Sequence, residues 1–431
     1  MVGKARVRGA ALLAVAAVVL AGCGDSGSDS PSGGSTALEG RGPIKFATGK
    51  DTSGNMQKLV DEWNTKHADE KVTITELPES ADDQRSQMIQ NAQAKSKEFT
   101  VLNLDVVWTA EFAANRWIAQ LPQDQFDLEN FLEPAVNTAK YRDNLYAVPV
   151  YSDGGMLYYR KDLLDAAGLE APKTWADMKD ACAKIKAVAA NAGIGCYAGQ
   201  FDKYEGLTVN FSEAVQSAGG SILDDAGKPT VNTPEAKEGL NFLVDGVKTK
   251  EIPPAAITYK EEEGRRAFQD GELIFHRQWP YQYAKASATD GSSKVVGKFD
   301  IAPLPGKDGA GVSTLGGHNF AISAFADNKA TALDFIKFFT SEEAERSNLV
   351  ATSQAPTRAN LYDDADLIKQ FPYLTTLKES ILGAVPRPQA VKYGDVTAAI
   401  QEAAYGAMNG ETTTDEALSK LQTTLESLTA Q

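Results

Sequence analysis

Several short segments of this sequence place aromatic rings close to carboxylates, amides or paired glycines. The flat ring of a tryptophan or tyrosine offers apolar surface to the C–H face of a sugar. Carboxylate and amide groups beside the ring can form hydrogen bonds with the surrounding hydroxyls. The pattern therefore indicates a site for a polyhydroxylated molecule, although a single tryptophan is more often part of a core. The candidate residues in these segments are Asp105, Trp108, Glu111, Tyr151, Asp153, Trp279, Tyr281, Gly316, Gly317 and His318.

The sequence carries no established signature of catalysis. It has no Gly-x-Ser-x-Gly elbow, no phosphate-binding Walker A loop and no His-Glu-x-x-His helix. Residues 193–198 match a dinucleotide-binding glycine pattern, but they follow a predicted helix, whereas such a turn must open one. None of the three histidines stands at ligand spacing from a cysteine. We therefore predict no cofactor and no metal site.

Two other functional classes stay open at this point. In an exported glycoside hydrolase, Asp105, Glu111 and Asp153 could include an acid/base pair, but that chemistry needs two carboxyls at a fixed separation. A binder of peptides, metals or polyamines is the second alternative. The few histidines and many aromatic residues count against a metal, while composition does not exclude a peptide.

The N-terminus has the features of a secretory signal. Basic residues at Lys4, Arg6 and Arg8 precede an apolar run over residues 10–20, which is too short to span a bilayer. The following Leu-Ala-Gly-Cys resembles a bacterial lipobox, in which Cys23 carries lipid; a plain signal peptide with an incidental cysteine is the alternative. We predict a signal peptide over residues 1–22. Residues 23–42, rich in Gly, Ser and Pro, are predicted to form a flexible tether.

Charge and cysteine content restrict the partners and the compartment. The formal net charge is −15, so the surface repels phosphate backbones and nucleic-acid binding is not expected. If Cys23 is lipidated, Cys182 and Cys196 remain as a pair. In an exported protein this pair predicts a disulfide, with two buried free thiols as the alternative.

Apolar segments alternate between strand and helix periodicity. Strands are predicted near residues 44–47, 72–75 and 102–107, with a helix over 55–65 between the first two. This order is typical of parallel βαβ units and predicts the α/β class. Later segments again alternate between strand and helix periodicity. We therefore predict two lobes, with the chain passing from one to the other more than once. The predicted N-terminal lobe comprises residues 43–151 plus 300–348, and the predicted C-terminal lobe comprises 152–299 plus 349–431.

These segments resemble the ABC-importer solute-binding lipoproteins of extracellular family 1, a group that includes maltose- and trehalose/maltose-binding proteins. The resemblance covers nearly the whole chain after the predicted signal. It rests on residues 46–63, 104–112, 146–150, 157–164, 172–175 and 302–306. It implies a two-lobe periplasmic-binding-protein-like fold of type II with a ligand cleft between the lobes. It also implies a monomer without enzymatic activity, anchored at the outer face of the membrane through Cys23, that delivers its ligand to ABC permease subunits.

The resemblance also implies roles for individual residues. Asp105 would accept hydrogen bonds from hydroxyls, Asp153 would be its counterpart across the cleft, and Tyr151 and Trp279 would be stacking platforms. Gly316 and Gly317 would bring backbone close to the ligand. Arg387 would donate from the second lobe, and Asp51 and Gln84 would contribute from early loops. The implied ligand is an α-glucosidic disaccharide or short oligosaccharide of the trehalose or maltose type, or a different sugar.

Competing interpretations exist for three of these residues, and one position departs from the family pattern. Asp105 could instead cap the following turn, Trp279 could belong to a lobe core, and Arg387 could form an ion pair. Trehalose/maltose binders tend to have an aromatic ring where His318 stands here, which leaves the sugar and its linkage open.

Overall fold

The structure is a computed structural model, and it describes residues 38–51, 53–224 and 226–429. The predicted signal peptide, Cys23 and most of the predicted tether lie outside the described residues. Among the helices that are described, none combines the length and the apolar character needed to cross a membrane.

The described part of the chain forms eleven β-strands and sixteen α-helices. The strands are β1 (Ile44–Thr48), β2 (Val72–Glu76), β3 (Val101–Asp105), β4 (Lys140–Tyr141), β5 (Asn144–Leu145), β6 (Ala147–Asp153), β7 (Met156–Tyr159), β8 (Gly195–Ala198), β9 (Leu273–Gln278), β10 (Asp300–Ala302) and β11 (Gly316–Ile322). The helices are α1 (Asn55–Lys66), α2 (Ala81–Gln93), α3 (Thr109–Ala114), α4 (Glu133–Thr138), α5 (Lys161–Ala167), α6 (Trp175–Lys186), α7 (Glu205–Ser217), α8 (Pro234–Lys248), α9 (Glu261–Gln269), α10 (Gln282–Ala286), α11 (Lys329–Phe339), α12 (Glu342–Thr352), α13 (Ala365–Gln370), α14 (Leu374–Leu382), α15 (Tyr393–Met408) and α16 (Thr414–Thr429).

The N-terminal lobe is built on a five-stranded sheet with the order β2-β1-β3-β11-β6. β1 pairs in parallel with β2 and β3, as the predicted βαβ units require, and β11 runs antiparallel between β3 and β6. Phe46 on β1 packs against Phe320 on β11, with ring centroids 4.7 Å apart, and against Phe335 on α11 at 5.8 Å. These buried rings join the sheet to its helices and form the centre of the first core.

The C-terminal lobe is built on a four-stranded sheet with the order β10-β7-β9-β8. Its core is separate from the first and includes Tyr158, Phe268 and Phe275. Helices α7, α8, α15 and α16 pack against one another around it. The predicted disulfide is confirmed: Cys182 on α6 and Cys196 on β8 are bonded, with their Cα atoms 5.5 Å apart.

The chain passes between the two sheets at positions that differ in part from the predicted lobe boundaries. β6 stays in the five-stranded sheet as far as Asp153, so the first crossing lies after Asp153 and not after 151 as predicted. β10 pairs with β7 in the four-stranded sheet, so the prediction that the N-terminal lobe resumes at 300 is wrong. The return lies between β10 and β11. The other predicted boundaries stay a prediction.

Candidate ligand-binding cleft

A cavity of about 480 Å³ is lined by residues from both lobes. The N-terminal lobe supplies the end of β3, the end of β6 and the start of β11, which are neighbours in its sheet. The C-terminal lobe supplies the residues after β9 and the start of α7. Eleven of the thirteen residues predicted for ligand binding line this cavity: Asp51, Gln84, Asp105, Tyr151, Asp153, Trp279, Tyr281, Gly316, Gly317, His318 and Arg387.

Arg387 joins the two lobes across the floor of the cleft. Its Nη2 lies 2.7 Å from Asp105 Oδ1, and its Nη1 lies 3.2 Å from Asp105 Oδ2 and 2.5 Å from Glu205 Oε1. Only 2% of Arg387 is exposed. Asp105 Oδ1 also accepts a hydrogen bond from the backbone N–H of Val107 at 3.2 Å. The ion pair and the turn cap that were the competing interpretations of these two residues are therefore both present in this structure.

Trp279, on the wall of the cleft that the C-terminal lobe forms, is held in a fixed orientation. The guanidinium carbon of Arg277 lies 3.7 Å from the centroid of the indole. Arg277 is fully buried and bonded to Glu213, at 2.7 and 2.5 Å, and to Gln200 at 3.0 Å. A cation stacked on an aromatic face is stabilising when both are shielded from water. Because Arg277 cannot move without breaking these bonds, the ring of Trp279 is pre-positioned.

Gly316 and Gly317 lie where a side chain would collide with the walls. A Cβ on Gly316 would lie 2.8 Å from two atoms of the Trp279 ring. Gly317 has φ +111° and a Cβ there would lie 2.2 Å from the carbonyl oxygen of Tyr151, so both space and backbone conformation require glycine. The pairing of β11 with β6 is irregular one residue later, between His318 and Asn319. The three residues of β11 that line the cavity, Gly316, Gly317 and His318, directly precede this irregularity.

Burial shifts the pKa of two polar groups on the wall that the N-terminal lobe forms. Burial raises the pKa of Asp153 to about 7; Arg277 opposes the rise and Asp105 adds to it. Burial lowers the pKa of the His318 imidazole, which is therefore neutral at pH 7. Its Nδ1 is buried without a hydrogen-bond partner among the described residues, and its ring lies 4.9 Å from that of Tyr151. Both groups can exchange hydrogen bonds with a neutral hydroxyl.

One predicted relationship between these residues is wrong. Asp153 ends β6 and Asp105 ends β3, and both strands flank β11 in the five-stranded sheet. Asp153 is therefore a neighbour of Asp105 on the same wall and not its counterpart across the cleft. The carboxylate that faces Asp105 from the C-terminal lobe is Glu205, which shares Arg387 with it.

Three further lining residues use polar atoms within their own lobe. The carboxylate of Asp51 accepts from the backbone N–H groups of Ser53 and Met56, at 2.8 and 3.0 Å, and thereby caps the start of α1. Gln84 donates to the carbonyl of Pro78 at 2.9 Å. The Tyr281 hydroxyl donates to Glu262 at 2.9 Å. These residues shape the rim of the cleft with their orientations already set.

The structure does not place Trp108 and Glu111 on the cavity wall. Trp108 is 1% exposed and belongs to the core of the N-terminal lobe. Glu111 lies in α3, where both its carboxylate oxygens bind Arg85, at 2.8 and 2.5 Å. The prediction that these two residues contact ligand is corrected, because the segment after β3 turns inward as a helix instead of following the cleft.

Sequence reasoning also missed several lining residues. Asn103 lies on β3, Glu205 starts α7 and Glu261 starts α9. Asn103 forms a buried hydrogen bond to Thr48 at 2.9 Å, and its Oδ1 is buried without a partner among the described residues. A polar residue inside an apolar strand is the only signal that could have indicated Asn103. The two glutamates lie in the first turns of their helices, where acidic residues are common, so nothing marks them as site residues.

The fold and the cleft define a two-lobe α/β protein that binds a ligand between its lobes. Residues 48–346 match the family described as bacterial extracellular solute-binding protein. A probable ABC transporter-binding protein of Deinococcus radiodurans is 33% identical over 374 residues, which make up 85% of this chain and 88% of that protein. A mannitol-binding protein of Pseudomonas aeruginosa is 26% identical over 351 residues, or 78% of each chain. The solved structure of maltose-bound T. maritima MalE3 superposes with a TM-score of 0.85 and 32% identity, over 90% of this chain and 99% of that one. The chain belongs to the bacterial extracellular solute-binding protein family.

Proposed function

We propose that this chain captures an α-glucosidic disaccharide or short oligosaccharide of the trehalose or maltose type. As a family member it works outside the cytoplasm as the substrate-binding component of an ABC sugar transporter. The observation that carries the finer proposal is the convergence of Trp279, Tyr151 and Asp153 on one cavity between the lobes. The likeness to a maltose-bound structure at 32% identity supports it.

The wall around Trp279 suits a rigid sugar ring. Arg277 fixes the indole from behind, so a pyranose can stack on it without first ordering the platform. Asp153 and His318 on the opposite wall can bind hydroxyls at the edge of the same ring. A hydrogen bond to a charged group contributes roughly 1.5–3 kcal/mol to the binding free energy. A sugar that leaves such a group without a hydrogen bond loses a similar amount of binding free energy.

Binding is coupled to closure of the lobes. Because the two walls belong to different sheets, a ligand contacts both only when the lobes are together, and its binding free energy favours that state. The bridge between Arg387 and Asp105 forms in the same closed arrangement. The ligand is bound and released without covalent chemistry, and the closed lobes are the form presented to the ABC permease subunits.

A hexitol is the second candidate ligand. It is favoured by the similarity to the mannitol-binding protein of Pseudomonas aeruginosa. An acyclic polyol lacks a rigid apolar face, so it would gain less from Trp279 than a pyranose does. A glycoside hydrolase has less support, because the relatives are binding proteins and both oxygens of Asp105 are held by Arg387.

Calorimetric titration of the mature protein with maltose, trehalose, sucrose, the β-linked cellobiose and mannitol tests the proposal. We expect heat of binding with at least one α-glucoside and none with cellobiose. Trp279→Ala should weaken that binding by at least about tenfold. The control Trp175→Ala removes an indole that stacks on Phe242 outside the cleft, at 4.3 Å, and should leave affinity unchanged. If mannitol alone binds, and Trp279→Ala does not weaken its binding, the proposed ligand is a polyol and not a disaccharide.

We also propose that the protein is a monomer tethered through a lipid on Cys23. The support is the lipobox resemblance together with the extracytoplasmic role of the family. Growth with labelled palmitate should label the wild type and not Cys23→Ser. Label that persists in Cys23→Ser, or none in the wild type, would contradict the anchor.

A further inference from the structure

Glu205 is a buried carboxylate at the first position of α7, and only 3% of the residue is exposed. Three donors reach it: Arg387 Nη1 at 2.5 Å, Thr397 Oγ1 at 2.8 Å and the hydroxyl of Tyr393. Thr397 and Tyr393 belong to α15, which packs against α7. A carboxylate with this many internal partners is held in one position.

The bonds of Arg387 divide between the two lobes. Its bond to Glu205 stays within the C-terminal lobe, because α7 belongs to the core of that lobe and Ala384 and Ala390, on either side of Arg387, pack against the same core. Its bonds to Asp105 cross to the five-stranded sheet and are lost when the lobes separate. The prolines on either side of Arg387 restrict its backbone. In the open state, Glu205 is therefore the remaining carboxylate that holds the guanidinium.

We propose that Glu205 is a positioning residue for ligand capture: it fixes the Arg387 guanidinium in the open cleft so that Asp105 docks onto it as the lobes close. The inference rests partly on the proposed function, since capture is measured with a sugar. The positioning itself concerns the ligand-free protein and can be measured separately.

The groups around Glu205 act on its charge in both directions. Arg387 and Asp105 face it at the cleft, Asp82 on α2 approaches it from the N-terminal lobe, and Tyr393 faces it from α15. Burial raises the pKa of Glu205, while Arg387 opposes the rise. One guanidinium between two carboxylates keeps a planar, two-sided geometry that a lysine could not reproduce.

The first test compares Glu205→Gln with Glu402→Gln by titration with maltose, or with whichever α-glucoside binds the wild type. Glu402 lies on α15 at the surface and pairs with Lys203, so its variant removes the same charge from the same lobe. Glutamine keeps the shape of Glu205 but weakens its bond to Arg387. We expect Glu205→Gln to weaken sugar binding roughly ten- to a hundredfold, with Glu402→Gln unchanged.

The second test needs no sugar. Phenylglyoxal modifies accessible arginines, and mass spectrometry of the digested protein gives the rate at each site. In ligand-free Glu205→Gln we expect Arg387 to react several-fold faster than in the wild type. Arg277, which is held by Glu213, serves as the internal control and should react at its wild-type rate.

The two tests separate the two proposals. If no sugar binds the wild type, the proposed function fails, and the modification rates alone decide the role of Glu205. An unchanged rate at Arg387 in Glu205→Gln overturns the inference, as does an equal acceleration at Arg277, which would indicate general loosening. If Glu205→Gln does not fold, Tyr393→Phe removes one donor to Glu205 and should give a smaller rise at Arg387; no rise would overturn the inference.

Discussion

Replacing Gly316 with alanine tests whether the geometry of the Trp279 wall sets sugar affinity. The new Cβ would lie 2.8 Å from two carbons of the indole and 3.3 Å from the Cβ of Asp153. Carbon atoms in contact prefer a separation of about 3.5–4.0 Å, so the ring must move by roughly 1 Å. Arg277, stacked 3.7 Å from the ring centroid, limits that movement.

The magnitude follows from this overlap. Gly316 does not have a positive φ, so its backbone accepts alanine and the cost is confined to the collision. Overpacking by one methyl group costs about 1–3 kcal/mol. If the ring relieves it by leaving its sugar-binding position, affinity for maltose, or for whichever sugar binds the wild type, falls by about tenfold or more.

Titration calorimetry on Gly316→Ala gives the affinity, and urea unfolding shows whether the fold is intact. Gly309→Ala is the matched control, because a Cβ there meets nothing within 4 Å. We expect wild-type affinity for the control. Wild-type affinity for Gly316→Ala as well would refute the reasoning that the wall around Trp279 is tightly fixed.

Three further predictions concern closure, protonation and covalent stability. Gly394→Ala on α15 places a Cβ 2.4 Å from the guanidinium of Arg85 on α2, so it should hinder closure and weaken sugar binding. The control Gly406→Ala on the same helix makes only ordinary contacts and should leave sugar binding unchanged. Equal sugar affinities of the two variants would contradict the prediction. The folded-state pKa of Asp153, about 7, lies above its unfolded value, so the stability that Asp153 contributes is lost as pH rises from about 4 to 7. Urea unfolding of Asp153→Asn should therefore show a stability difference from the wild type that grows between pH 5 and pH 8, and a constant difference would count against it. Replacing both cysteines of the disulfide with alanine should lower the free energy of unfolding by about 3 kcal/mol while leaving sugar affinity unchanged; a large loss of affinity would show that the disulfide also shapes the cleft.

The local pattern of the sequence predicted much of the fold. Strand-like runs placed β1, β2 and β3 to within two residues. β1 and β3 are mostly buried, whereas β2 lies at the edge of the sheet and alternates apolar residues with threonines. Thr174 and Asp177 form a capping box at the start of α6, which their three-residue spacing alone favours. β11 begins at Gly316, so two glycines form the start of a strand. Gly316 and Gly317 pair with Asp153 and Ser152 on β6, and this pairing overrides the low strand propensity of glycine.

Most of the residues predicted from the sequence line the site, but the sequence did not predict which of them contact one another. No local window shows that Trp108 faces a core while Trp279 faces a cleft, since both stand just after an apolar strand. Glu205 and Arg387 lie 182 positions apart in the chain, and no local feature links the one to the other. Ion pairs of this kind are set by tertiary packing, which a single sequence does not display.

The position of β11 affects the order in which the chain can be completed. β6 has β11 as its one neighbour in the sheet, and β11 follows every strand of the other sheet in the sequence. During synthesis, β6 therefore waits without a partner until all of β7 to β10 have been made. The sheet of the N-terminal lobe can therefore be completed only after every strand of the C-terminal sheet has been synthesised.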